Sequence, residues 1–400
     1  MKSAMLSKYK NKTINDIFLN ISHFFDHFIM LIFAKAAYES GKSFGLNYDQ
    51  FILYGVFGFI FFGAMSPLAA QIADKFSRSL VMVFFHFGFG IAAILAGLAQ
   101  SPTQLGIAIS LMGIFASIYH PVGIAMLIKN NKNIGFRLGI NGVFGNIGVA
   151  GAPIITGILL TFGDWRLSFI LPGCICLIYG FVFSQNLKEE ISVKNEKNQN
   201  KNHQFAPNWF RALLALGLTT ISGGFIFGSM TFFVPRYFEI SMQNISTSIF
   251  ITGLLASTVY TIASFTQIVV GWLVDRYSPR AILLIMGIGQ TIFIVLASNL
   301  SDFSLLVTMT FAMAFVFGQV PITDTILARY VPDRWRTKTL SIKFLLNLTI
   351  GASVLPTSSL ILQAGYSMNT LFVLIGIIAI FVVISAILLP KQAEHQRLDI

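Results

Sequence analysis

The sequence predicts an all-α integral membrane protein of twelve transmembrane helices arranged as two pseudo-symmetric six-helix bundles. Hydrophobic residues make up 55% of the 400 and charged ones only 11%, with 40 Phe, a balance that would aggregate as a soluble domain. The apolar residues gather into twelve runs of about 20, the length that crosses a bilayer as helix. A short polar turn then occurs twice, half a chain apart, each time wedged between two apolar runs.

In chain order the runs lie near residues 14–39, 50–72, 80–98, 103–128, 137–162 and 165–185, then 209–234, 247–270, 280–298, 303–328, 337–361 and 366–389. Met1 to Ile32 imitates a secretory signal, with four lysines ahead of an apolar run, but His23, Asp26 and His27 interrupt it and favour an uncleaved first helix. Between the sixth and seventh runs, Asn186 to Asn208 is rich in Lys, Glu, Asn and Gln without apolar periodicity and reads as a linker. The domains expected are therefore a bundle over 1–185, a linker over 186–208 and a second bundle over 209–400.

The net charge of +11 invites a nucleic-acid reading, which the placement of the bases rejects. Of the 27 Lys and Arg, 22 lie in the two termini and on alternate loops; Lys35, Lys42, Arg166 and Arg236 lie on the others, and Lys343 falls within a run. By the positive-inside rule both termini and the linker are cytoplasmic. Cys174 and Cys176, two apart on an apolar helix, point in different directions and read as packing residues.

The two halves echo each other at three places. Ala70-Gln71-Ile72-Ala73-Asp74-Lys75-Phe76-Ser77-Arg78 matches Gly271-Trp272-Leu273-Val274-Asp275-Arg276-Tyr277-Ser278 with Arg280, an offset of 201 between the aspartates. Pro121 matches Pro321 at an offset of 200, and Gly148 with Pro153 matches Gly351 with Pro356 at 203. A near-constant shift points to duplication, the build of carriers that rock two bundles about a midplane site.

Polar side chains at membrane depth face protein or water, so they mark candidate sites. Asn20, His23 and His27 share one face of the first helix, with Asp26 beside them. That stripe suits carrying a proton or meeting a charged solute; packing against a neighbouring helix is the structural alternative. Asp16 reads as a helix-end residue. His120 precedes Pro121 with Ser117 one turn earlier, and either binds a ligand or proton or fills the distortion that proline makes. His86, alone in a Phe-rich run, reads as a packed histidine.

Asn20, Ser117, Asn141, Asn146, Gln319 and Asn347 are expected to line the cavity. Asp324 is expected to pair with Arg329, and Lys343 to snorkel to the surface. Arg236 and Glu239, just after Pro235, read as a solvated outer rim or part of an outer gate. Gly139, Gly142, Gly145, Gly148 and Gly151 recur every third residue of the fifth helix and read as a close-packing stripe. No phosphate-cradling loop, Ser-His-Asp set or metal-ligand spacing appears, so no enzyme, cofactor or metal is expected.

Together the segments, the middle linker and the two turns resemble the major facilitator superfamily over the whole chain. The resemblance implies alternating access, with Asp74, Arg78, Asp275, Arg276 and Arg280 forming a cytoplasmic gate that holds that side closed in the outward-facing state. Ala70 stands where the family usually has Gly, and Gly151-Ala152-Pro153 only loosely resembles the antiporter Gly-Pro motif. Ser22-His23-Phe24-Phe25-Asp26 and Tyr119-His120-Pro121 are similar to exporters of the fosmidomycin-resistance type, although the first helix has no proline near Ala34.

The expected function is secondary active transport of a small organic solute across a bacterial inner membrane, proton-coupled, with efflux by antiport favoured and uptake of an organic acid, siderophore or other nutrient the alternative. A non-transporting sensor on a transporter fold is the reading from another class. The partners expected are the solute, protons and the lipid bilayer, without nucleic acid, and the chain is expected to be a monomer.

Overall fold

The computed structural model describes residues 2–128, 134–186 and 205–391. Twelve spans follow from it: α1 Asn15–Ser43, α2 as the bent pair Tyr48–Ala64 and Ser66–Ala73, α3 Arg78–Gly97, α4 Pro102–Leu127, α5 Arg137–Thr161, α6 Leu167–Asn186, α7 Trp209–Ser241, α8 Ile249–Arg276, α9 Pro279–Ala297, α10 Asp302–Tyr330, α11 Lys338–Gln363 and α12 Met368–Leu388. The two pieces of α2 meet at 43°, where Met65 is followed by Ser66 and Pro67.

Local chemistry sets the span ends. The side chains of Ser77, Ser101, Ser248 and Ser367 accept the backbone N–H of Leu80, Gln104, Ile251 and Thr370, capping α3, α4, α8 and α12. Pro102 and Pro279 open α4 and α9, where a missing N–H costs nothing. The expected end of the seventh segment at 234 is corrected: α7 carries Pro235 internally and runs on to Ser241. Of the expected linker, residues 187–204 lie outside the described residues; beyond them the Ala206 amide donates to the Tyr330 carbonyl at 3.3 Å.

Packing repeats with a period of six helices. In the first half α1 lies on α5, α2 on α4 and α3 on α6; in the second α7 lies on α11, α8 on α10 and α9 on α12. The halves meet along α5 with α8, α2 with α11 and α1 with α7. Lipid-facing side chains such as Phe84, Ile178, Phe265 and Leu360 stay exposed around this double bundle.

Small residues set how close the helices come. A Cβ on Gly148 would stand 2.3 Å from the Phe24 carbonyl oxygen of α1, and one on Gly253 of α8 2.4 Å from the Pro153 carbonyl of α5. The glycine stripe is not uniform, for Gly139 faces open space.

Candidate functional site

Helical spacing on α1 sets His23 and His27 one turn apart, and their Nε2 atoms lie 3.1 Å from each other. Across from them α4 widens into a π-helical turn over Tyr119–Gly123, where Pro121 has no amide to give the ladder. That turn directs two side chains at α1. The Tyr119 ring stacks on His23 with centroids 4.7 Å apart, and His120 Nε2 comes within 3.4 Å of Asp26 Oδ2.

α5 closes the third side. His23 Nδ1 lies 2.7 Å from the Asn141 carbonyl oxygen, which only accepts, so Nδ1 carries the hydrogen and Nε2 of a neutral ring is left bare. The Asn141 amide donates to Asn20 Oδ1 at 2.8 Å and to the Tyr119 hydroxyl at 2.7 Å, and that hydroxyl donates to the Leu19 carbonyl at 2.9 Å. Gly145 makes room for the imidazole: a Cβ there would stand 2.6 Å from His23 Cε1. Asp26 is fully buried, and neither of its carboxylate oxygens has a hydrogen-bond donor among the described residues. Both ring nitrogens of His120 likewise lack one.

No metal-ligand spacing runs along the chain, but the fold brings one ring nitrogen each of His23, His27 and His120 to within 4.8 Å of one another. The spacing is invisible along the chain since the third imidazole comes from α4.

This cluster opens on the interface between the halves. A cavity of about 60 Å³ lies there, lined by His27, Phe59 and Phe62 of the first half and Phe227, Thr231 and Asn347 of the second. Drug-sized ligands need several hundred Å³, so the halves are drawn together here. Phe344 of α11 stacks on His120 with centroids 5.2 Å apart and covers the cluster from the opposite bundle.

Among the residues expected to line the cavity, Asn347 does so. Asn20 and Asn141 are used in orienting His23 and Tyr119. Ser117 donates to the Ile114 carbonyl at 2.7 Å, and Gln319 accepts from Gln290 at 2.7 Å inside the second bundle. Asn146 is buried with its amide nitrogen unpaired. His86 is a packed histidine whose Nε2 meets the Ser22 hydroxyl at 3.0 Å.

Several expected ion pairs are rearranged. Asp324 pairs with Lys343 rather than Arg329, and Lys343 is buried instead of snorkelling. Arg329 donates to the Val274 carbonyl at 2.8 Å. Asp16 pairs with Arg137 across α1 and α5. In the gate turns, Arg276 donates to Trp272 and Arg280 to Leu389, both at 3.1 Å and both within the second bundle. Asp275 is exposed and Arg78 begins α3 half-buried, while the Asp74 side chain lies outside the described residues.

The expected solvated rim at Arg236 and Glu239 is overturned as well. Lys35 of α1 is buried and pairs with Glu239 of α7, and it also donates to Thr252 Oγ1 of α8 at 3.2 Å. Arg236 pairs with Glu239 at 2.8 Å, and its guanidinium sits 3.5 Å over the Tyr38 ring. With the Ser359 hydroxyl donating to the Asp49 carbonyl at 2.6 Å, these contacts fasten the two halves at the face away from the chain termini. Sequence reading missed Lys35 by placing it in a loop; the signal was its position before Ala36-Ala37, inside a run that stays helical to Ser43.

The sequence profile of the Major Facilitator Superfamily matches residues 17–250 and again 240–399. The chain belongs to the major facilitator superfamily. Among curated proteins it is similar to the multidrug resistance protein MdtG of Escherichia coli, in strain UMN026 and in strain K12 / DH10B alike, with 26% identity over 230 residues. That match covers 56% of this chain and 56% of MdtG, so the chain spans about half the length of the curated relatives it matches.

Solved structures of superfamily transporters share the fold. A bacterial homologue of the human lysosomal transporter Spinster superposes with a TM-score of 0.73 at 15% identity, covering 94% of this chain and 96% of that one. The nucleoside transporter NupG gives 0.72 at 13%, covering 94% and 100%, and FucP in its outward conformation 0.63 at 14%, covering 96% and 100%.

Proposed function

We propose that this superfamily transporter exports a small organic solute from a bacterial cell in exchange for protons, by alternating access of the halves 1–185 and 209–400 about the linker 186–208. The observation that carries the reading is Asp26, the only fully buried carboxylate among the described residues, held without a donor inside an imidazole cluster that opens on the inter-bundle cavity. A carboxyl so placed takes up a proton or needs a cation beside it. A cation that enters from one side and leaves from the other as the halves rock is what couples a gradient to solute movement.

Further support comes from three directions. The loop bases put the termini in the cytoplasm, so the Lys35–Glu239 latch closes the outer face and the conformation is one with the outside shut. The gate turns carrying Asp74, Arg78, Asp275, Arg276 and Arg280 close the inner face in the outward-facing state. The similarity to MdtG favours efflux of drug-like compounds. One chain forms the whole cavity, in keeping with a monomer.

The test uses purified protein in proteoliposomes under an imposed pH gradient, with internal pH followed as phosphonates, organic acids, siderophores and cationic drugs are added singly. Proton flux triggered by a compound and abolished by Asp26→Asn is expected. Flux that persists in Asp26→Asn overturns the role given to Asp26, and flux in the direction of symport overturns export.

A further inference from the structure

We propose that His23, His27 and His120 bind a divalent transition-metal ion of the zinc class, with a fourth position open to the central cavity for an anionic oxygen or nitrogen donor of the transported solute. The proposal rests on the reading of this cluster as the transport site and adds the chemical class of what is carried: a metal-binding organic anion.

The geometry of the rings carries it. In tetrahedral coordination at a zinc–nitrogen distance of about 2.05 Å, neighbouring ligand atoms stand about 3.3 Å apart. The Nε2 atoms of His23 and His27 are already 3.1 Å from each other, and all three ring nitrogens lie within 4.8 Å. The His120 ring stands T-shaped to the other two, with centroids 5.3 Å from His23 and 5.5 Å from His27, and neither of its nitrogens is held by a hydrogen bond.

The surroundings are those of a ligand set rather than of three packed imidazoles. A metal-bound histidine hands its outer N–H to a carbonyl or carboxylate, which fixes the tautomer and raises the basicity of the inner nitrogen. His23 does this to the Asn141 carbonyl at 2.7 Å. His120 Nε2 lies 3.4 Å from Asp26 Oδ2, a carboxylate within reach of that role. Three neutral imidazoles suit zinc, copper and nickel better than the hard ions magnesium and calcium, which prefer oxygen.

The open position follows from packing and charge. Asn141, Gly145 and Tyr119 enclose His23, and Phe344 covers His120, whereas His27 itself lines the cavity. Three neutral imidazoles leave the two positive charges of the ion uncompensated, so an anionic donor arriving from the cavity completes the coordination and lowers the charge of the site.

The experiment uses the full chain, purified without a polyhistidine tag and stripped with chelator, titrated with Co²⁺ alone while the visible spectrum is recorded. The expected result is one Co²⁺ per chain with the intense absorption of a four-coordinate site, displaced by Zn²⁺ and shifted by acetohydroxamate. His23→Gln, His27→Gln and His120→Gln each abolish that absorption, Asp26→Asn weakens binding roughly 10–100-fold, and His86→Gln leaves it unchanged. Variants are read only where size-exclusion chromatography shows a single folded species; metal-dependent thermal stabilisation of the wild type, reversed by chelator, gives a second readout that needs no variant. No saturable absorption and no stabilisation in wild-type protein overturns the site. So does binding that survives in the cluster variants or is lost in His86→Gln. A spectrum indifferent to acetohydroxamate overturns the open position. Proton flux measured in chelator-treated proteoliposomes is a separate result, so metal binding can fail while the coupling reading stands, and the reverse.

Discussion

Replacing Glu239 by Gln tests whether the latch between α1 and α7 sets the balance between conformations. In the closed outer face the Lys35 and Glu239 side chains are 1% and 12% exposed, and Arg236 lies against the same carboxylate. Removing that anion leaves two cations facing each other, one of them buried. Breaking a buried pair by removing one partner costs about 3–5 kcal/mol. The penalty falls almost wholly on the closed state, because opening returns Lys35 to water. Taking the lower figure, since Arg236 can turn outward, about 3 kcal/mol raises the open-to-closed ratio roughly 150-fold at 1.4 kcal/mol per tenfold.

The assay is double electron–electron resonance between spin labels at Asn47 and Ile245, both exposed at the outer face on opposite halves, in a background with Cys174 and Cys176 replaced. Glu239→Gln should move the distance distribution towards its long component. Lys35→Met with Glu239→Gln should move it less, as a buried pair replaced by neutral side chains is nearly neutral in energy. An unchanged distribution in Glu239→Gln would refute the latch, and a larger shift in the double variant would show that the penalty does not come from an uncompensated lysine.

Three further outcomes follow from the packing. Gly145→Ala places a methyl 2.6 Å from the His23 ring and should cost about 1–3 kcal/mol in thermal or denaturant unfolding, whereas Gly139→Ala, facing open space, should cost none. Asp324→Asn leaves the buried Lys343 unpaired and should destabilise more than Lys343→Met, which leaves a carboxylate already 48% exposed; equal losses in the two variants would contradict that asymmetry. Asn141→Ala removes the amide that orients Asn20 and Tyr119 and should cost about 1–3 kcal/mol, with solute-driven flux in proteoliposomes falling alongside.

Much of this molecule was determined by the sequence alone. Twelve apolar runs dictate twelve spans because backbone in hydrocarbon must satisfy its own hydrogen bonds, and helices do so locally. The offsets near 200 residues made the duplication legible, and the observed pairs, α1 with α5 and α7 with α11 among them, repeat it in space. His23, Asp26 and His27 were visible as a polar face because i, i+3 and i+4 neighbours are a property of any helix.

Tertiary structure decided the rest. His120 reaches Asp26 from 94 positions away, and Lys35 reaches Glu239 from 204, distances over which sequence pattern carries no register. Lys343 took Asp324 instead of leaving it to Arg329 because α11 lies against α10, which no local spacing encodes. Asn20, Asn141 and Gln319 looked like cavity residues and became internal braces, since an amide at membrane depth is satisfied equally by a neighbouring helix or by the cavity, and only the packing angle chooses between them.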